Sequence, residues 1–434
     1  MRWTAILSLL GLLLCTAVRS ESPSVEKRTW AHWRGPSGQG YVEDSRVPLS
    51  WSETQNLLWK IDLPGTGNST PIVWGDRLVL TGASKNGDER FVICFKTTDG
   101  SLLWRQTASQ GVEPGKSHNW NGYASASCAT DGTHVYAFFG TPGLFCYDFD
   151  GNLLWKHSFG VFTADTGWGS GASPIVVGNL VIQNCDNSGA AALPKDRKPE
   201  DAAPMALVAL DRKTGQEVWR TERNQGKGWS TPVLVPGKDG EQLLLNGPHG
   251  VWAYDPRTGK EIWHCERHKG QDSALFGEPI PAFDRDKLVM LSGRPGPMLG
   301  VRLGGSGDVT KTNILWDVPR KNGRVVASPL LWKDLVYVGD GQGYLSCNDA
   351  KTGAVLWRER VGSKPISASP VLVQEKVLFL MEDGQTFVLE PGRNFKLAAT
   401  NKLGDGTDFR ASPVIVDGRL FLRSQAHLYC VGAK

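Results

Sequence analysis

One unit recurs along this chain and constrains its fold more than any other feature. It opens on Ser/Thr-Pro, runs through an apolar strand, a turn and a second strand, then closes with a third strand ending Asp-x-x-Thr-Gly and a last strand ending in Trp. The clearest closing segments are Asp211 to Gly215 with Trp219, Asp255 to Gly259 with Trp263, and Asp349 to Gly353 with Trp357; looser copies end at Trp104, Trp155 and Trp316. Unit starts fall at Thr70-Pro71, Ser173-Pro174, Thr231-Pro232, Ser328-Pro329, Ser369-Pro370 and Ser412-Pro413, with degenerate starts at Ser127-Cys128 and Glu278-Pro279. Proline is tolerated at the first residue of a strand, where its missing N–H breaks no ladder bond. The turn Asp can accept nearby backbone N–H groups, and its Gly supplies the positive φ of a tight connection. Each closing Trp offers an apolar plate against which a neighbouring sheet can pack, so its default role is core.

From Leu57 to Lys434 there are 378 residues, about 47 per unit for eight units, within the roughly 40–50 expected of four-stranded propeller blades. The last unit stops after Leu428-Tyr429-Cys430 without a fourth strand, while Leu57 to Asp62 reads as a fourth strand without its first three. Joining them removes two exposed sheet edges. The expected fold is therefore all-β: an eight-bladed β-propeller of four-stranded antiparallel blades over residues 57–434, its last blade closed by the N-terminal strand. Composition agrees, since 51 glycines and 17 tryptophans in 434 residues suit many turns and large packing plates. The stretch Asp186 to Pro204 reads as an exposed loop within the third blade.

Ahead of the ring, Arg2 followed by the apolar run Ala5 to Val18 reads as a secretory signal peptide over residues 1–20, which implies a periplasmic or extracellular protein. Leu14 before Cys15 does not fit lipoprotein processing, and no other stretch approaches transmembrane length. Residues 21–56 form a leader whose Trp30, Trp33 and Trp51 are expected to dock on the outer surface or mouth of the ring. The formal charge of +4, or +2 once Arg2 and Arg19 are removed with the signal, argues against nucleic acid as partner. Cys94, Cys146, Cys347 and Cys430 share one repeat position with Ala209 and Ala253 and read as small core residues; pairing among Cys128, Cys185 and Cys265 is left open.

The Ser/Thr-Pro starts and Asp-x-x-Thr-Gly-x-x-x-Trp ends resemble the repeat of pyrroloquinoline-quinone-type (PQQ-like) β-propellers. That superfamily includes the quinoprotein alcohol dehydrogenases and the outer-membrane protein assembly lipoproteins. The leader Trp33-Arg34-Gly35-Pro36-Ser37-Gly38-Gln39-Gly40 further resembles exported PQQ-like repeat proteins of planctomycete-type bacteria. Membership of the dehydrogenase branch would imply a quinone in the central channel, stacked between a Trp and a vicinal disulfide, with calcium and an Asp base. This sequence has no adjacent cysteines and no local cluster of calcium ligands. PQQ and calcium are accordingly not expected, no metal or catalytic residue is assigned, and a quinone-dependent oxidoreductase of alcohols or sugars is the alternative reading.

In a propeller the segments leading into each first strand line the mouth of the axis. Three positions before each start proline or its equivalent stand Asn68, Ser125, Gly171, Trp229, Phe276, Val326, Ser367 and Arg410, with Trp120, Tyr123, Trp168, Arg324 and Phe409 close by. Aromatics, arginines and amides together suit recognition. Asn68, Trp120, Trp168, Trp229, Phe276, Arg324 and Arg410 are the candidate binding residues, for a protein, peptide or carbohydrate partner. His118 beside Trp120 is a candidate acid or base, although no carboxylate is placed next to it by sequence. If the early strand closes the ring, deleting residues 1–62 will lower the cooperative melting temperature of the remainder, which differential scanning calorimetry measures directly.

Overall fold

The computed structural model describes residues 29–44, 46–112, 117–118, 120–162, 168–186, 198–223, 228–266, 277–293, 296–320 and 323–433. The expected signal peptide, Phe276 and residues 187–197 of the third-blade loop lie outside the described residues. Eight antiparallel blades circle one axis, each with four strands from the repeat. Blade 3 is typical, running outward through Ile175–Val177, Leu180–Asn184, Ala206–Asp211 and Glu217–Glu222. Blade 8 takes Val414–Val416, Arg419–Arg423 and His427–Gly432 from the C-terminus and its outer strand, Leu57–Asp62, from the N-terminus. Trp59 faces Cys430 and Asp62 faces His427 across that seam, so the ring is closed as the repeat predicts.

The Trp of each outer strand explains the small residue in the strand beside it. Trp104, Trp155, Trp219, Trp263, Trp316, Trp357 and Trp59 lie opposite Cys94, Cys146, Ala209, Ala253, Gly300, Cys347 and Cys430, with a shift in register beside each pair. The need is steric: a Cβ built on Gly300 would fall 2.2 Å from the Trp316 ring. Blade 7 has no Trp here, and Val388 opposite Ala399 redistributes the volume. All seven described cysteines are free and buried, so none of Cys128, Cys185 and Cys265 is paired.

Each indole then reaches forward to the next blade. Nε1 of Trp104, Trp155, Trp219 and Trp316 donates to the carbonyls of Phe149, Arg212, Pro256 and Ala350, at 2.8, 3.0, 3.2 and 3.0 Å, each the residue after the turn Asp. The turn itself forms as its sequence requires: Asp211 Oδ1 accepts the N–H groups of Lys213 and Thr214 at 3.0 and 2.9 Å. Trp263 departs from this pattern, donating to Gln242 Oε1 at 3.0 Å. Blade 5 carries in place of that turn an insertion with the helix Thr310–Asn313 and the strand Gly307–Asp308, which pairs with the outer strand of blade 4.

A second set of contacts links the blades around the axis. Except at the step from Thr231 into Ile280, the N–H of the Ser or Thr that opens a unit donates to the hydroxyl of its counterpart in the next blade: Thr70 to Ser127, Ser127 to Ser173, and Ser173 to Thr231, at 2.9 to 3.0 Å. Ser328 to Ser369, Ser369 to Ser412, and Ser412 back to Thr70 continue it at 2.9 to 3.0 Å. The Ile280 N–H donates to Ser328 Oγ at 3.0 Å, which puts Ile280-Pro281 in register and corrects the start read at Glu278-Pro279. With no hydroxyl on Ile280, Asn246 Nδ2 and Ser230 Oγ hold the Pro279 carbonyl, at 2.9 and 3.3 Å.

The first half of the leader, expected on the outer surface or at the mouth, instead crosses the axis. Thr29–Trp30 adds an antiparallel strand to the inner edge of blade 1, and Tyr41–Val42 a parallel one to that of blade 7. Between them the Arg34 guanidinium, 1% exposed, donates to the carbonyls of Pro370, Gln39 and Pro329 at 2.5, 2.6 and 3.4 Å. Gln39 accepts the Phe283 N–H at 3.0 Å, and Thr130 N–H donates to Ala31 at 2.8 Å. The sequence Trp33 to Gly40 is therefore a plug held by blades 1, 2, 5, 6 and 7. Farther along, buried Val47 and Trp51 wedge against blades 7 and 8, where Asn401 binds the Trp51 N–H and the Leu49 carbonyl at 2.9 and 3.0 Å.

Burial of the Arg34 charge holds its guanidinium down at about 10, still cationic at neutral pH. The blade-to-blade seat gives a stability test at Gly353, where φ is +75° and a Cβ would lie 2.5 Å from the Trp316 ring. Gly353→Ala is expected to cost about 2–5 kcal/mol, left-handed strain plus overpacking. Gly178→Ala, at φ +56° with nothing within 4 Å, is expected to lose only about 1–2 kcal/mol. Urea denaturation midpoints at constant m-value compare the two.

Candidate functional site

The segments leading into the inner strands open on one side of the hydroxyl girdle, and the plug fills the other. Between them lies a cavity of about 190 Å³, lined near the girdle by Thr70, Ser127, Ser173, Thr231, Ser369, Ser412 and Trp33, and toward the mouth by Asn68, Trp120, Asn121, Trp168, Trp229, Glu278, Arg324, Val326 and Arg410, among others. Six of the seven candidate binding residues thus border a single space. The seventh, Phe276, lies outside the described residues. Counting back from Pro281 rather than Pro279 puts Glu278 at the equivalent position, and Glu278 does line the cavity.

Aromatic and charged groups interlock at the mouth. The Arg324 guanidinium lies 4.4 Å from the Trp120 ring and 4.5 Å from that of Trp168, and donates to Glu278 Oε1 at 3.2 Å. Guanidinium groups bind indole faces through the ring quadrupole. Glu382, 4% exposed, accepts Trp120 Nε1 at 2.8 Å and Ser367 Oγ at 2.5 Å, with Arg410 Nε 3.4 Å away. Arg410 also donates to the Trp120 carbonyl at 3.0 Å and to Asp408 at 2.5 Å. Asn68 Nδ2 holds the carbonyls of Asn121 and Trp120 at 2.5 and 3.3 Å, and Trp229 Nε1 donates to Gly169 at 2.7 Å. Arg324 and Arg410 thus each have a carboxylate beside them.

Sequence reasoning missed Trp33, Asn121, Glu278 and Glu382. The Pro-x-Pro run at Pro279 carried the signal for Glu278. Glu382 follows the second strand of blade 7, outside the segments the repeat marks, and its role emerges only when the ring brings it to Trp120.

His118 stacks on Trp168 at a centroid distance of 3.9 Å and accepts the Trp120 N–H on Nδ1 at 3.2 Å. Desolvation, then the positive charges of Arg324 and Arg410, lower its pKa from the usual 6.5. The ring is neutral at pH 7 and serves as an aromatic spacer.

The parts expected of a quinone site over calcium are not brought together among the described residues. No two cysteines are adjacent in the chain, and all seven described ones are buried free thiols. Among the described residues no three His, Cys, Asp or Glu side chains are grouped to hold a metal ion. Glu278 and Glu382 are each committed to an arginine.

Fold and site define an eight-bladed repeat propeller with a plugged, one-ended axial cavity. The chain belongs to the PQQ-repeat family described as outer membrane protein assembly factor BamB, matched over residues 88–199, 201–315 and 306–393. It is 24% identical over 388 residues to the BamB of Burkholderia pseudomallei, spanning 80% of this chain and 92% of that one. A 75-residue stretch is 32% identical to the BamB of Shewanella oneidensis, covering only 17% of this chain and 19% of the relative. Among solved structures it is similar in fold to BamB from Moraxella catarrhalis, with a TM-score of 0.60 at 15% identity over 87% of this chain and 97% of that one. A europium-containing methanol dehydrogenase gives a TM-score of 0.68 at 13% identity, over 94% and 98%. One scaffold thus hosts unrelated activities, and the fold alone does not choose between them.

Protonated His118 would add a third cation beside Arg324 and Arg410. Because folding lowers its proton affinity, its contribution to stability is present above the ordinary imidazole pKa and is lost as pH falls below it. An NMR titration is expected to place His118 below 6.5, and Arg324→Gln to move it upward by removing one of the two cations.

Proposed function

We propose that this chain is an exported, non-catalytic binding propeller whose mouth engages a protein partner, in keeping with the outer-membrane assembly factors of its family. The observation that carries the reading is the rim itself, where two arginines, the indoles of Trp120 and Trp168 and their carboxylates are locked in mutual contacts. Groups so engaged make a rigid recognition surface, of the Trp and Arg composition that dominates binding hot spots. The described carboxylates of the rim are each engaged by an arginine, which favours binding over base catalysis. The sequence of residues 1–20 supports export, and the family supports a periplasmic setting. Among the described residues no helix is long and apolar enough to cross a membrane.

The test is fluorescence anisotropy with a labelled outer-membrane β-barrel protein kept unfolded in dilute urea. Saturable binding is expected, weakened by about 30-fold in Arg410→Ala, the effect of losing a hot spot of about 2 kcal/mol. A wild-type chain that does not bind, or a variant that binds as well, would overturn the reading.

A further inference from the structure

We propose that the base of the axial cavity, below the rim, binds a neutral hydroxyl-rich ligand: a single sugar ring, free or at the end of a glycan. The inference stands apart from the protein-binding reading, because the girdle hydroxyls that carry it are not among the arginines and indoles of the rim.

The girdle hydroxyls carry the argument. A hydroxyl has one proton to donate and two lone pairs to accept with. Thr70, Ser127, Ser173, Thr231, Ser369 and Ser412 each accept a backbone N–H from the preceding blade. Among the described residues none of the six donates a hydrogen bond in return. All six are at most 5% exposed, and all border the cavity. Buried polar groups are ordinarily satisfied, so six donors around one small space describe a complement for an acceptor-rich ligand. Asn68 adds an acceptor: its Nδ2 is engaged, while its buried Oδ1 has no partner.

Charge and shape narrow the class. Arg324 stands 3.2 Å from Glu278, and Arg410 stands 3.4 Å from Glu382 and 2.5 Å from Asp408, so the two arginines described at the cavity are each matched by a carboxylate and favour a neutral ligand. Trp33 borders the same space from the plug side, a flat plate of the kind that takes the C–H face of a sugar ring. About 190 Å³ is below the roughly 300–1,000 Å³ of pockets for drug-sized ligands, which suits one ring.

Ile280 supplies the control. Blade 5 already carries a branched residue without a hydroxyl at the girdle position, so Thr70→Val/Thr231→Val keeps the side-chain shape while removing two donors, together with the acceptors of the Ser412 and Ser173 N–H groups. Saturation-transfer NMR with D-glucose, D-galactose, D-mannose and N-acetyl-D-glucosamine is expected to show transfer from at least one sugar. The double variant should weaken it at least tenfold, with a lower melting temperature because the Ser412 and Ser173 N–H groups lose their acceptors. Val326→Trp, which fills the cavity from the register where blade 4 carries Trp229, should abolish it. A trisaccharide ending in the bound sugar shows whether the cavity takes a glycan end or only a free ring. Silence from all four sugars, meaning a cavity that holds water only, or equal binding by Val326→Trp, would overturn the proposal. Unfolded-protein binding measured on the Thr70→Val/Thr231→Val variant reports on the rim independently.

Discussion

The whole ring depends on an indole seated on a glycine. A propeller has no continuous core; each blade must bury one face of a twisted sheet against the next, and the contact must repeat at the same angle until the circle closes. The outer-strand Trp sets that contact. Its plate covers the Gly of the following turn, as Trp316 covers Gly353, while its N–H binds a carbonyl of the same turn. An apolar contact gives adhesion without direction, whereas the hydrogen bond fixes where the plate sits. Where the partner turn is missing, at blade 5, Trp263 turns to a glutamine of its own blade and an inserted strand covers the outer edge instead.

The girdle does the corresponding work at the inner radius. Inner strands converge there, and their N–H groups would point into a space too narrow for full hydration. A neighbour's hydroxyl satisfies each of them except at the step into Ile280. The repeat's opening Ser/Thr is thus a cross-blade acceptor, which explains why the residue type persists while the surrounding strand varies. The same arrangement that satisfies the backbone leaves hydroxyl protons facing the axis, so the cavity's polarity is a by-product of how the ring is held.

Local features were legible in the sequence and long-range ones were not. The Asp-x-x-Thr-Gly turn, the small residue opposite each Trp and the missing outer strand of the last unit all follow from short patterns that repeat. The channel-facing register was readable too, except where Pro279 and Pro281 offered two starts and the wrong one displaced Glu278 by Phe276. The leader was not readable. Trp33-Arg34-Gly35-Pro36 has no repeat to align with, and its partners, the carbonyls of Pro329 and Pro370, lie about 300 residues away. Arg34 looks like a surface charge until three backbone carbonyls are seen to surround it. Glu382 escaped for the same reason, since its meaning lies in Trp120, 262 residues away and in the segment leading into blade 2.

That leader ties the two radii together. One N-terminal stretch plugs the axis with residues 29–42, wedges Val47 and Trp51 between blades 7 and 8, and ends as the outer strand of blade 8. It therefore spans the ring from centre to circumference across the seam where the chain's two ends meet. A ring zipped by strand pairing alone can open at that seam; here, opening it would also pull Arg34 off its carbonyls and unblock the channel. Closure and one-endedness become a single cooperative property. A through-pore could pass a ligand, but a blind cavity can only hold one, and this is why the architecture points to capture rather than passage.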